Sequence, residues 1–409
     1  MTTTLPLPTT LPPHVPADKA LRLPFFAREV VSDCPQETLI PQMHSSLGPI
    51  TYVTNIFPGD KPGWLLTGYE DTMAMLRNAD DFTKNGMGQW AQGIGEDWLV
   101  IPTEVDPPMH TAYRKALNPH FSPQKMAAMK DDLRKRARDL IAKFQDRGSC
   151  DFVNEFSERY PIYIVLDLLG LPQDRMAEFL KWEKEMLHTN DWEVRSNAVR
   201  AVKNYLVEEI SARRANPRDD YITRIFDFEA EDGRKWNDQE VLGHCFNLYL
   251  GGLDTVTTML GNSFAWLARH PEQQQELRDN PDRIVLAVEE FLRIFGPVTA
   301  FRIATREIEI HGQKIMPGEY VSVCTPVANQ DPKVHDHPSQ VRFDRKAAHI
   351  ALGGGIHKCL GMHLARLELQ VALEEMLKAV PLFRIRDGFD LGYFVGNITF
   401  VPALELQWD

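Results

Sequence analysis

Cysteine is scarce and scattered in this chain. The five cysteines, at 34, 150, 245, 324 and 359, are odd in number and contain no CxxC pair. That excludes a disulfide framework and a thiolate zinc site, and it suits a reducing cytoplasm. No stretch reaches the length of a membrane span without polar interruption. No basic n-region or apolar h-region opens the chain, so no secretory signal is expected. Positive charge is not in excess: the formal net charge is -12. Wholesale nucleic-acid binding is therefore not expected, although an acidic total still permits a local basic patch. Flavin and nicotinamide fingerprints, internal repeats and long low-complexity linkers are all absent.

Proline is plentiful only at the start, recurring from Pro6 to Pro16. Residues 1–20 read as a loose Pro/Thr-rich arm of polyproline character, and 21–409 as one domain. Helical periodicity fills most of the remainder, including Lys125–Phe144, Arg175–Leu187 and Ser196–Arg214. Short strands are expected at Ile50–Val53, Trp64–Thr67, Arg306–Ile310, Tyr320–Val323 and Ile398–Trp408. The expected fold is mainly α with a small β region, in a single domain.

One helix stands out. Asn237 and Glu240 form a capping-box pattern, with Trp236 and Val241 as its hydrophobic staple. No proline interrupts it until after His270, and its apolar residues run all the way round. A helix of that kind is buried, and roughly 30 residues would span about 45 Å. In its middle stands Gly251-Gly252-Leu253-Asp254-Thr255. Two glycines there cost about 1 kcal/mol each relative to alanine. A kink alone would explain them; so would a helix thinned to let something lie against it, with Asp254 and Thr255 supplying a proton route.

The run Leu352-Gly353-Gly354-Gly355-Ile356-His357-Lys358-Cys359-Leu360-Gly361 is the most telling segment. Its glycines permit unusual dihedrals and close approach to a flat partner. An apolar stripe at Leu360, Leu364, Leu367 and Val371 follows at helical spacing. The sulfur is thus placed near the positive end of a helix dipole, which lowers a thiol's pKa. A lone cysteine is more often a small buried hydrophobe, and a glycine loop before a helix is more often a phosphate cradle. The glycine spacing, His357 and Gly361 together favour a thiolate ligand for haem iron.

Four signatures in one order resemble the cytochrome P450 family of haem-thiolate monooxygenases, from about residue 25 to Asp409. They are Asp106-Pro107-Pro108-Met109-His110-Thr111-Ala112-Tyr113-Arg114, Gly251–Thr255, Glu290-Phe291-Leu292-Arg293, and the cysteine loop. Within the family the chain is most similar to the bacterial camphor hydroxylase group. That similarity is carried by Ile101-Pro102-Thr103, Gly251–Val256, Cys359–Arg366 and Trp408-Asp409. Leu352 departs from the aromatic residue usual in the family seven positions before the cysteine.

The resemblance implies haem b with Cys359 as its iron ligand, on Gly353 and Gly355. It implies propionate binding by His110, Arg114, Arg302 and His357. Asp254 and Thr255 would steer protons during oxygen activation, with His188 or Lys181 as the basic partner of Asp254. Glu290 and Arg293 would be structural, joined by Arg342. Met87, Trp98, Asn247, Leu250, Gly251, Val298 and Ile398 would line the substrate pocket. Most of these are apolar, so a small hydrophobic molecule is expected. Trp98 falls where the camphor group has a hydrogen-bonding tyrosine, which favours another terpenoid or a norisoprenoid over camphor. Electrons would come from a [2Fe–2S] ferredoxin and an NADH-dependent reductase, docking near Arg114, Lys115 and Lys358. O2 is the implied oxidant. A peroxide-driven peroxygenase and a non-catalytic haem sensor are the alternatives.

Overall fold

The computed structural model describes residues 11–57, 60–346 and 348–409. Its helices include α1 (Tyr69–Arg77), α2 (Met109–Leu117), α3 (Lys130–Ile141), α4 (Arg159–Leu169), α5 (Met176–Leu187) and α6 (Trp192–Ala215). The second half adds α7 (Asp238–Gly252), α8 (Asp254–Ala268), α9 (Ile284–Phe295) and α10 (Met362–Ala379). The expected runs Arg175–Leu187 and Ser196–Arg214 are present as α5 and α6, within a few residues at each end, whereas Lys125–Phe144 is split, a short helix at Pro123–Ala127 preceding α3.

A mixed sheet joins six strands in the order Ala20–Leu21, Ile50–Phe57, Lys61–Leu66, Tyr320–Cys324, Thr299–Ala304, Phe82–Thr83. The expected strands are found with shifted ends. Arg306–Ile310 shrinks to Ile308–Ile310. Ile398–Trp408 is regular only at Glu405–Trp408, with single bridges at Ile398 and Phe400. Thr299–Ala304 escaped the sequence reading because it is covered on both faces and does not alternate. Its register pairs Arg302 with Val321 and Ile303 with Thr83.

Part of the expected arm, residues 1–10, lies outside the described residues. The rest is not loose. Val15 is buried in the core beside Tyr52 and Trp64, and Ala20 pairs with Tyr52 in the sheet. His14 Nε2 lies 3.0 Å from Glu319 Oε1. The few apolar side chains between the prolines find a sheet to bury against, which composition alone does not show.

The central helix is correctly capped but not continuous. Asn237 Oδ1 accepts from the Glu240 N–H at 3.0 Å, and Glu240 Oε2 accepts from the Asn237 N–H at 2.8 Å. Trp236 and Val241, the staple, are both buried. The helix breaks at Leu253, where ψ reaches -72°, and resumes as α8. A Cβ on Gly252 would stand 2.7 Å from Val165 of α4, so glycine is required for that packing.

Glu290 and Arg293, on α9, are fully buried and paired through two hydrogen bonds of 2.8 and 2.7 Å. Arg293 also donates to the carbonyls of Asn329, Pro338 and Gln340. The third arginine is not the expected one. Arg345 Nε donates to Glu290 Oε1 at 3.2 Å, whereas the Arg342 guanidinium turns outward to Asp344. Only the Arg342 backbone N–H reaches Glu290. Breaking a buried, multiply bonded pair leaves an uncompensated charge and costs on the order of 3–5 kcal/mol. Arg293→Met should therefore lower the denaturant midpoint sharply, whereas Arg342→Met should leave it nearly unchanged.

One residue earlier, Glu289 ties α9 to α10 through Arg366 Nε at 2.5 Å and accepts from or faces His349 Nε2 at 3.0 Å. Burial raises its pKa, but His349 and Arg366 outweigh that and hold it at about 2. A carboxylate depressed in the folded state contributes stability that is fully present above its unfolded value and lost as pH falls toward the folded one. The wild type should exceed Glu289→Gln by on the order of 1–2 kcal/mol near pH 6. That gap should close between about pH 4.5 and pH 2 in melting experiments.

Candidate active site

Gly353 and Gly355 hold φ of 72° and 61°, a region closed to most side chains. A Cβ on Gly355 would meet the Leu76 carbonyl of α1 at 2.0 Å. The Cys359 N–H donates to the Leu352 carbonyl at 2.8 Å and closes the loop. The loop therefore rests on α1 and delivers Cys359 just ahead of α10.

The thiol behaves differently from expectation. Burial pushes its pKa up from the ordinary value, while the Gly361 N–H, Arg114 and Arg366 pull it down without prevailing. A thiolate there needs a cation at the sulfur, and metal coordination deprotonates a thiol outright. Cys359 keeps accessible surface, unlike the four other cysteines, which are buried.

Most of α7 and α8 is buried, yet Asn247, Leu250, Gly251 and Thr255 stay accessible on one face at helical spacing. An added Cβ on Gly251 would meet nothing within 4 Å. Thr255 Oγ1 donates to the Gly251 carbonyl at 2.9 Å, so the hydroxyl occupies a main-chain acceptor at the break. Asp254 is 1% exposed. Its Oδ1 lies 2.8 Å from His188 Nε2, and its Oδ2 has no partner among the described residues. Of the two candidate partners His188 is therefore the one in place; Lys181 faces Glu185. Burial lowers the His188 pKa, but the Asp254 hydrogen bond and the nearby charges of Asp254, Glu183 and Glu158 together outweigh it, with the net shift upward. Glu183 stands beside this pair and was missed by the sequence reading. Burial and then Asp254 raise its pKa.

A cluster of basic side chains gathers on a second side, although burial lowers the pKa of His357 and brings that of His110 to about 4. The His110 and His357 rings lie 4.4 Å apart. His357 Nε2 is 2.9 Å from Asp106 Oδ1, and the Lys84 N–H donates to Asp106 Oδ2 at 2.8 Å. Arg302 is buried and, among the described residues, donates only to the Phe301 carbonyl at 2.9 Å. Arg114 donates to the Lys358 carbonyl at 2.9 Å. His110 Nε2 is buried without a partner among the described residues. Lys84, which follows the strand that pairs beside Arg302, was also missed. Burial, with Arg302 adding to it, lowers its pKa to about 7. Two histidines, two arginines and a lysine thus surround Asp106, with Glu104 nearby. This excess of donors fits a ligand carrying carboxylates, and the cysteine loop beside Arg114 fits a metal ion. Together they suit an iron porphyrin with propionate side chains.

The expected pocket residues are brought together in part. Val298 and Ile398 form a bridge, and Asn247 Oδ1 accepts from Thr103 Oγ1 at 2.7 Å. Met87 packs on the cluster that contains Phe301. Trp98 stands apart from its expected role. It is buried against Phe246, and its indole N–H donates to Glu96 Oε2 at 2.8 Å. It lines an outer cleft with Lys203 and Leu242.

Comparison with known proteins decides the family. A family model described as Cytochrome P450 matches residues 166–383. The chain is 33% identical over 405 residues to a probable cytochrome P450 127A1 from Sinorhizobium fredii, covering 97% of each. The chain belongs to the cytochrome P450 family. It is also 31% identical to 6-deoxyerythronolide B hydroxylase of Saccharopolyspora erythraea, across 84% of this chain and 88% of that one. Among solved structures, that of CYP101J2 superposes with a TM-score of 0.86 at 28% identity, covering 98% of this chain and 100% of that one. CYP101C1 gives 0.85 at 29%, with the same coverage. This P450 is thus related to the group the sequence pointed to, and its cofactor is haem ligated by a cysteine. Replacing Cys359 by alanine should abolish the thiolate-type band of the reduced, carbon monoxide-bound spectrum. Replacing any other cysteine should leave it intact.

Proposed function

We propose that Cys359 supplies the thiolate and that His110, Arg114, Arg302, His357 and Lys84 hold the propionates, on the glycine loop. The bound haem supplies the oxygen-activating chemistry, and the chain's own side chains supply protons and a dry pocket. The reaction is insertion of one oxygen atom from O2 into a C–H bond of a small hydrophobic molecule of terpenoid or norisoprenoid type. The observation that carries this reading is the His188–Asp254 pair set at the helix break beside the accessible Thr255. Such positioned acid–base groups accelerate proton transfer by about 10²–10⁴-fold. A peroxide-driven enzyme or a sensor has no comparable need of them.

Leu250, Val298, Ile398 and Met87 each keep some accessible surface, and an apolar lining drawn from them favours an apolar ligand. Its polar feature is the Thr103–Asn247 pair. Because Thr103 occupies the Asn247 carbonyl oxygen, the Asn247 amide N–H groups are left to meet a substrate carbonyl or hydroxyl. That duty passes from Trp98, whose N–H is spent on Glu96. Arg114, Lys115 and Lys358 lie near the sulfur, the latter two exposed. A basic patch of this kind suits an acidic [2Fe–2S] ferredoxin fed by an NADH-dependent reductase. No helix among the described residues is long and apolar enough to cross a membrane, which is consistent with a cytoplasmic site of action.

Asp254→Asn and Thr255→Ala should each cut product formation at least tenfold while NADH oxidation falls less, so that electrons are spent without product. Equal loss of both rates would count against proton delivery. A panel of terpenoids and ionones, scored by the low-to-high-spin shift of the haem, should give its strongest responses with apolar ligands bearing one oxygen. Asn247→Leu should weaken those at least fivefold and spare pure hydrocarbons.

A further inference from the structure

The region where α5 ends against the α7–α8 break holds more than a proton partner. Glu183, His188 and Asp254 each offer one ligand atom, and these atoms lie within 4.8 Å of one another. Glu183 is 5% exposed and Asp254 1%. Among the described residues the Glu183 carboxylate makes no hydrogen bond or ion pair, although it is aimed into the cluster. The surrounding cations are engaged elsewhere: Lys184 with Glu158 at 2.7 Å and Lys181 with Glu185 at 3.7 Å. Two buried carboxylates therefore share a single imidazole, and one carboxylate oxygen of Asp254 has no partner among the described residues. Two carboxylates beside one imidazole cannot both be ionised without an excess of negative charge, and buried charge is costly unless it is paired, protonated or metal-bound.

The donor set is one imidazole nitrogen and two carboxylates. That combination suits a first-row divalent ion, zinc above all, rather than calcium or magnesium, which prefer all-oxygen shells. Zinc–ligand bonds of about 2.0–2.2 Å ask the three atoms to close up modestly, which the unrestrained Glu183 side chain can do by changing rotamer. His188 stacks on Phe400 with centroids 4.3 Å apart and 19° between planes, which fixes its ring. His188 also keeps 22% of its side-chain surface, giving an ion a route in and a water for the remaining position.

We propose that Glu183, His188 and Asp254 form a binding site for Zn2+. Binding releases to solvent the proton shared between His188 and Asp254 and the proton held on Glu183, and leaves all three residues as ligands. A ligating Asp254 can no longer pass a proton toward Thr255, so the bound ion inhibits oxygen-driven turnover. That consequence rests on the role proposed for Asp254; the binding itself does not.

The test uses holoenzyme freed of adventitious metal with a chelator, titrated with Zn2+ by calorimetry and metal analysis after gel filtration. One ion per chain is expected. Affinity should fall at least tenfold in Glu183→Gln and in His188→Gln, and stay unchanged in Lys181→Gln and Thr255→Ala. An intact carbon monoxide spectrum shows that each variant is folded. No saturable binding, or affinity unchanged in both ligand variants, overturns the site. With binding established, Zn2+ should suppress NADH-driven product formation at least tenfold in the wild type and release it on chelation. Binding with undiminished turnover keeps the site and overturns the assignment of Asp254 to proton delivery.

Discussion

The fold turns on a charge pair with no exposure to water. Arg293 spends its donors on Glu290 and on three main-chain carbonyls between Asn329 and Gln340. A planar guanidinium is suited to this because its donors point along fixed directions and bind a carboxylate bidentately. The pair adds little net stability over a well-packed apolar substitute, since desolvation consumes the Coulomb gain. What it supplies is a fixed course for an irregular stretch of chain that has no ladder of its own. Arg345 tightens the same knot from further along. That stretch leads directly into the glycine loop, so the position of the Cys359 sulfur depends on it.

Two polar environments of different character are built into the interior. In one, basic side chains outnumber carboxylates, with histidine, arginine and lysine drawn around Asp106 and Glu104. In the other, carboxylates outnumber cations at Glu183, His188 and Asp254. Neither imbalance is stable in a dry interior by itself. The first invites a ligand with carboxylates; the second invites protons or a metal ion. The second sits at the break in the central helix, beside Gly251 and Thr255. This is a local departure from regular structure maintained by packing on α4, as expected where function rather than stability sets the geometry.

Much of the site was legible before the fold was known, because its determinants are local. Gly353, Gly355 and Cys359 announce a tight loop with a thiol within a few residues. Asn237 and Glu240 announce a helix start, and the hydrogen bonds formed are the ones their spacing implies. His110 and Arg114 stand one helical turn apart. What escaped notice was decided between distant segments. Lys84 looks like any surface lysine until the strand before it is paired beside Arg302. Glu183 looks like one of many helical glutamates until α5 is laid on the helix break. Arg345 displaced Arg342 because loop geometry, not spacing, selects which guanidinium turns inward. Trp98 was assigned by position, but its N–H was claimed by Glu96, a neighbour that aims it toward Lys203.

The sequence by itself determined the family, the mainly helical architecture, the cysteine loop and the acid–alcohol pair at the centre of the long helix. These follow from residues close together in the chain, where backbone freedom, capping and helical period act directly. The tertiary structure alone decided which groups share buried space, and hence which charges are balanced and which are left wanting. It set His188 rather than Lys181 against Asp254 and interrupted the helix at Leu253. It also raised the Cys359 thiol despite the helix behind it. The physical reason is common to all three: desolvation and long-range pairing are properties of packed neighbours, and a linear sequence does not state who those neighbours are.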